Sequence, residues 1–413
     1  MEYLNKLTEQ AQGDAGLQRD LAEAYLKVGD VQGNPYGANL GDSRGAVQSY
    51  RKALEISQAL ARTDPIDAIA GECLAKSYES LGQVLPLLGK PTEAVADLQK
   101  ATSLLESLAA AQPADKELRF RLANSYQVLG DLQGHSGIPN LGDTASSLSN
   151  YQKSLALYQS LLSSDGTDVR ARRGAAVVEI RMGDSHMRDE PNVALESYQR
   201  ARATFEDLTA ADPNNVEDRR RLALAFQKIG GLDETLGNNK DALQNYRKAS
   251  ASSEALWRAD PNNAQAGMNL VISLRYAGDL LYKMKEQTAA ISDYRKALDI
   301  LQQLSDSEPD NVLAKGRYAE MLIVLGGVLA ESGNLPEARS RTARGLTITR
   351  QLAARDDSTA DELFDYAENF LSCQPADLRQ PAMAVEAAKK AAEKSGGGSE
   401  YLDQLARAYC EAG

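Results

Sequence analysis

Few residues in this chain have the chemistry to act on a substrate. Two histidines, His135 and His186, and three cysteines, Cys73, Cys373 and Cys410, are scattered over 413 residues. A zinc site needs such groups at short fixed spacing, and neither a Cys-x-x-Cys nor a Cys/His pattern occurs, nor do the cysteines suggest a disulfide framework. His186 stands in Asp184-Ser-His-Met-Arg-Asp189-Glu190, whose acids could attract a metal, but the spacing fits no common site and a solvated inter-helix loop is expected. His135 reads as a loop residue. The stretches Gly33–Asp42 and Gly134–Asp143 have the flavour of calcium loops, yet each offers one carboxylate where a calcium loop supplies several. Gly396-Gly397-Gly398-Ser399 lacks the following Lys-Ser/Thr of a phosphate loop and reads as part of a flexible joint over 395–399. No catalytic residue, cofactor or metal is assigned, and the chain is expected not to be an enzyme.

Charge narrows the partners. A net charge of -12 and a pI near 4.9 oppose nucleic-acid binding, which relies on clustered Lys and Arg. With mean hydropathy -0.42 and no apolar run near the ~18 residues a spanning helix needs, direct membrane insertion is not expected. Met1 to Leu7 lacks a signal-peptide pattern and reads as helix.

The elements that position the remaining residues are repeats. Tyr50-Arg-Lys-Ala-Leu54 recurs in kind at Leu98, Tyr151, Tyr198, Tyr246 and Tyr294, in steps of 48, 53, 47, 48 and 48. A second column, Gly29, Gly82, Gly130, Gly183, Gly230, Gly278 and Gly326, keeps the same period. Stops at Asp64-Pro65, Gln112-Pro113, Asp212-Pro213, Asp260-Pro261 and Glu308-Pro309 end one helix each, because proline lacks the amide hydrogen and disfavours helix before it. Asn-Asn after two of these stops suits capping of the next helix. Between stops, Leu74-Ala75-Tyr78-Leu81-Gly82-Leu85 shows the three- and four-residue apolar spacing of an amphipathic helix. Each unit is therefore a helix pair, and pairs must stack to bury their apolar stripes. The tyrosine column is at core spacing. The glycine column fits either close approach of two helices or a helix C-cap.

Leu81-Gly82, Leu85, Gly89, Ala94, Leu98 and Ala101 resemble the tetratricopeptide repeat (TPR) signature, as do Ile229-Gly230, Gly237, Ala242, Tyr246, Ala249 and, with departures, Ala277-Gly278, Leu281, Ala290, Tyr294, Ala297. The period departs from the TPR pattern, about 48 rather than 34, which implies roughly two extra turns on each helix. The resemblance implies an all-α, right-handed superhelical solenoid of antiparallel helix pairs, about eight of them in one array over residues 1–413. It also implies a concave groove, lined by first helices, that binds a protein or peptide. Carried over in the Leu-Gly register, candidate groove residues are Glu23, Lys76, Glu79, Asn124, Gln127, Gln227 and Arg275. The Lys-x-x-x-Asn clamp such proteins use for a C-terminal carboxylate is absent: Val31, Ser80, Leu232, Gln287 and Ala319 stand four residues after Lys27, Lys76, Lys228, Lys283 and Lys315.

The two insertions lie 101 residues apart and should share one edge, with candidate docking residues Asn34, Tyr36, Asn39, Asp42, His135, Asn140 and Asp143. Together with Leu17 to Tyr25, they resemble the C-terminal TPR region of bacterial eukaryote-like Ser/Thr protein kinases. That resemblance implies a piece of a longer chain acting as an extracytoplasmic sensor or regulatory arm, with self-association or ligand binding. Without it a cytoplasmic scaffold is expected. No kinase motif is present in this sequence.

Overall fold

Helix starts follow from short polar side chains at the turns. Asp67, Asp115, Asp168, Asn215, Asn263 and Asn311 each accept a backbone amide of the helix they precede, a contribution of about 1 kcal/mol apiece. The Asn-Asn pairs after the stops therefore act as caps, through Asn215 and Asn263. Other helices open on Pro91, Pro191 and Pro381, in the first turn, where a missing amide costs no intrahelical bond.

The computed structural model describes Leu4, Leu7, Ala11 and residues 13–35, 39–64, 67–135, 140–307 and 311–413. Tyr36, Pro65, Pro309 and most of the helix expected at 1–7 lie outside the described residues. Among the described residues there are seventeen α-helices and no strand. One compact unit, Met1–Asp212, holds α1 (Ala15–Gly33), α2 (Ser43–Thr63), α3 (Ala68–Val84), α4 (Pro91–Ala111), α5 (Lys116–Gly134), α6 (Thr144–Ser164), α7 (Val169–His186) and α8 (Pro191–Ala211). The other, Pro213–Gly413, holds α9 (Val216–Thr235), α10 (Asn239–Ala259), α11 (Ala264–Lys283), α12 (Gln287–Ser307), α13 (Val312–Glu331), α14 (Leu335–Ala353), α15 (Ala360–Ser372), α16 (Pro381–Lys394) and α17 (Ser399–Ala412). The even-numbered helices α2 to α12 are each 21 residues long, or about 31 Å, and this length accounts for the long period.

Each odd-numbered helix packs on the even-numbered helix that follows it, and successive odd-numbered helices also touch, α1 on α3 and α5 on α7 in one unit, α9 on α11 and α15 on α17 in the other. No two even-numbered helices come as close among the described residues. The odd-numbered helices consequently line the inner, more tightly curved face of each unit, in TPR-like stacks of antiparallel pairs.

The glycine column sits inside the odd-numbered helices and marks close approach within a pair. A Cβ would fall 2.4 Å from Tyr50 Cε1 at Gly29, 2.4 Å from Leu98 Cγ at Gly82, 2.5 Å from Tyr198 Cε1 at Gly183 and 2.7 Å from Tyr294 Cε1 at Gly278. The turn glycines are different ones: Gly89 and Gly237 have φ of 71° and 81° between the helices of a pair. The tyrosines facing the glycine column are fully buried, worth about 1.5–3 kcal/mol each. Their hydroxyls need partners. Tyr50 donates to Asp30 at 2.8 Å, Tyr151 to Asp131 at 2.6 Å, Tyr198 to Asp184 at 2.7 Å and Tyr294 to Asp279 at 2.6 Å. Burial first, and then these carboxylates, push the phenol pKa values up, so the rings stay neutral donors. Residues 395–398, before α17, form a turn in which the Gly397 amide donates to the Ala392 carbonyl at 2.9 Å.

Candidate binding faces of the first helices

The two insertions are built alike. Asn39 Oδ1 accepts the Gly41 amide at 2.7 Å while its Nδ2 donates to the Asn34 carbonyl at 2.8 Å. Asn140 accepts from Gly142 at 2.7 Å and donates to the His135 carbonyl at 2.9 Å. Asp42 caps α2 by accepting the Gly45 amide at 2.8 Å, and Asp143 caps α6 by accepting the Ser146 amide at 3.0 Å. Asn34 donates to Asp30 at 3.1 Å. These polar groups thus hold the loop shape, and beside the exposed Asn39, Asp42 and Asp143 the described edge also offers Leu40, 77% exposed, and Leu141, 43% exposed.

On the inner face of the first unit, α1, α3 and α5 bound a cleft of about 590 Å³ that brings together Glu23 and Lys76 with Arg19, Glu72, Cys73 and Arg121. Glu23 lies 3.6 Å from Lys27. Arg121 reaches from α5 to Glu79 at 2.8 Å and Glu72 at 3.5 Å on α3. Burial lifts the Glu79 carboxyl above its ordinary range despite Arg121. Lys76 is exposed. Asn124, also on α5, accepts the hydroxyl of buried Tyr158 at 2.5 Å. Gln127 lies half-buried one turn further on the same helix.

On the second unit, Gln227 is spent internally, its Nε2 donating to Ser273 at 2.7 Å across α9 and α11. Arg275 borders a cleft of about 600 Å³ between α11 and α13, whose walls include Met268, Ile272, Tyr276 and Leu313. Its guanidinium pairs with Glu320 on α13 and lies 3.6 Å from Asp279. A smaller space of about 300 Å³ continues the face past Leu313, Arg317 and Glu320 to Asp361, Asp365 and Glu368 on α15. The apolar wall was not foreseen from the sequence, where only polar positions were carried over. Its signal was surplus: Leu270, Leu274, Ala277 and Leu281 already fill the packed stripe of α11, leaving Ile272 and Tyr276 outside it.

His186 departs from the expected solvated loop. It closes α7 with 16% of its side chain exposed and Nδ1 2.7 Å from Glu190 Oε2, because the helix runs to residue 186 and places Glu190 one turn on.

No family model matches the sequence, and no curated protein matches it. Among solved structures, the apo form of RapI is similar at a TM-score of 0.51 and 12% identity, covering 100% of this chain and 97% of that one. BtubC from P. vanneervenii gives 0.49 at 18% identity, covering 64% and 92%. A tetratricopeptide repeat protein from Parabacteroides merdae ATCC 43184 gives 0.42 at 16% identity, covering 78% and 97%. Paired long helices, glycines wedged against tyrosines and the likeness to RapI together make the fold that of a TPR-like helical solenoid.

Proposed function

We propose that the chain is a protein-interaction scaffold whose odd-numbered helices receive a protein or peptide. The supporting observation is the inner face of the second unit, where Ile272, Tyr276 and Leu313 are 37%, 44% and 60% exposed beside one another in a cleft. Side chains of that kind gain by burial against a partner, at about 25 cal/mol per Å². The likeness to TPR-type structures, in which such faces bind extended or helical segments, agrees with this reading. Affinity selection from a random peptide display library on the full chain tests it. Enriched peptides whose binding is lost in an Ile272→Ser/Tyr276→Ser double variant support the reading, and failure to enrich any peptide overturns it. The sensor or regulatory arm of a membrane kinase, outside the cytoplasm, is a second proposal that rests only on the sequence of the insertions and of Leu17 to Tyr25. Sedimentation of the chain with both insertions shortened tests its self-association component.

A further inference from the structure

On the strength of that scaffold reading, the inner face of the second unit points to a partner of one chemistry. Two parts of it are contiguous. The apolar cleft walled by Met268, Ile272, Tyr276 and Leu313 is joined to the space beside α15 by shared Leu313, Arg317 and Glu320. Across this face stand the carboxylates of Asp279, Glu320, Asp361, Glu362, Asp365 and Glu368, against the guanidinium groups of Arg275 and Arg317.

Most of these charges are already spoken for. Glu320 is held by Arg275 and by Arg317 at 3.0 Å, Glu368 by Arg407 at 2.9 Å, and Glu362 by the amide of Thr359 at 2.8 Å in the capping box of α15. Asp361 accepts the Tyr401 hydroxyl. Asp365 is exposed on this face and has no hydrogen-bond or ion-pair partner among the described residues. Partial burial, then the negative charges of Glu320 and Asp361, push its carboxyl above the ordinary aspartate range, while Arg317 and Arg275 pull against them. An incoming cation would relieve that repulsion, and an incoming anion would add to it.

We infer that this face binds a short peptide segment that seats an aliphatic or aromatic side chain between Ile272, Tyr276 and Leu313 and places a Lys or Arg against Asp365. The apolar cleft lies between α11 and α13, about one and a half spacings from α15 at on the order of 10 Å per neighbouring first helix, so an extended peptide at about 3.3 Å per residue spans from the cleft to α15 in roughly four or five residues. Arginine suits the site because its fork can engage a carboxylate at two points.

The test is selection of an unbiased peptide display library on the full chain, followed by titration of the leading peptide, synthesised with a fluorescent label, against wild type, Asp365→Lys and Tyr276→Ser. The expected result is enrichment of peptides with Lys or Arg roughly four or five residues from an apolar anchor. Binding should weaken about tenfold or more in each variant, and the Lys/Arg→Glu version of the peptide should bind Asp365→Lys better than it binds wild type. Enrichment of acidic or uncharged peptides, or titration unchanged in Asp365→Lys, overturns the inference while leaving a peptide-binding scaffold standing. Enrichment of nothing removes both readings together. Far-UV circular dichroism of the two variants confirms that they fold, as both side chains are exposed in the wild type.

Discussion

On the inner face of the first unit, Arg121 crosses from α5 to Glu72 and Glu79 of α3, and the cleft beside it is walled mainly by charges, with Ile69 as its open apolar side chain. On that of the second unit, Arg275 makes a crossing of the opposite sense, from the earlier helix α11 to Glu320 of α13, and Ile272, Tyr276 and Leu313 stand open next to it. Behind both faces the glycine and tyrosine columns pack in the same way, Gly183 on Tyr198 in one unit and Gly278 on Tyr294 in the other. The helix-pair interior is thus a repeated part, while the inner face is free to vary. In a quasi-one-dimensional array each pair is stabilised by its own packing and that of its neighbours, so the exposed residues can diverge without disturbing the stack.

The largest effect should come from the shared interior. Tyr198→Ala and Tyr294→Ala each delete a fully buried ring and should each cost about 3–5 kcal/mol, read as a fall in the urea midpoint of far-UV circular dichroism. A large loss in one unit and a small one in the other would break the claim that the two interiors are equivalent.

A smaller effect of opposite signs should separate two adjacent glycines. Gly230→Ala puts a Cβ 2.8 Å from the Tyr246 ring, whereas at Gly231 the nearest neighbour is the Tyr246 hydroxyl at 3.7 Å. Overpacking should destabilise the first by about 1–3 kcal/mol, and the second should gain up to about 1 kcal/mol from helix propensity. Thermal midpoints moving in the same direction for both would remove close approach as the reason for the column.

Much of the interior was legible because its physics is local. Proline stops, Asn caps and the two columns each constrain a few neighbouring residues, so their spacing alone marks the helix pairs. The phenol acceptors were legible in part and were missed: Gly29-Asp30, Gly130-Asp131, Gly183-Asp184 and Gly278-Asp279 carry an aspartate where the facing residue is tyrosine, whereas Gly82-Gln83 faces Leu98 and Gly326-Gly327 faces Thr342; Gly230-Gly231 departs from the rule, and Tyr246 there donates to Glu234 at 3.0 Å instead. The inner face was harder to read, because its makeup depends on which side chains the stack leaves uncovered. Gln227 and Asn124 sit on first helices like Arg275, and like Arg275 with Glu320 each turns a polar atom to a neighbouring side chain, Gln227 to Ser273 and Asn124 to Tyr158. Helix periodicity gives no sign of that.

The smallest predicted effect sharpens the comparison of the two faces, since one type of Glu–Arg crossing is balanced differently in each. At Glu79, burial outweighs the pull of Arg121 and raises the carboxyl pKa. At Glu320, burial is outweighed by Arg275 and Arg317, and the pKa falls below the ordinary range. A raised folded pKa means that ionisation opposes folding, with the penalty absent below the unfolded value near 4.3 and complete above the folded one. A lowered one means that ionisation favours folding above the unfolded value and that the gain is lost as pH falls through the folded one. Glu79→Gln should therefore match or exceed wild type at pH 7, where Arg121 keeps Glu72, and lose that advantage near pH 4. Glu320→Gln should be less stable at pH 7 by about 1 kcal/mol, with the gap closing as pH drops below about 4. Urea midpoints at both pH values decide it: parallel behaviour of the two variants would mean that the crossings are electrostatically alike and that only the apolar side chains distinguish the faces.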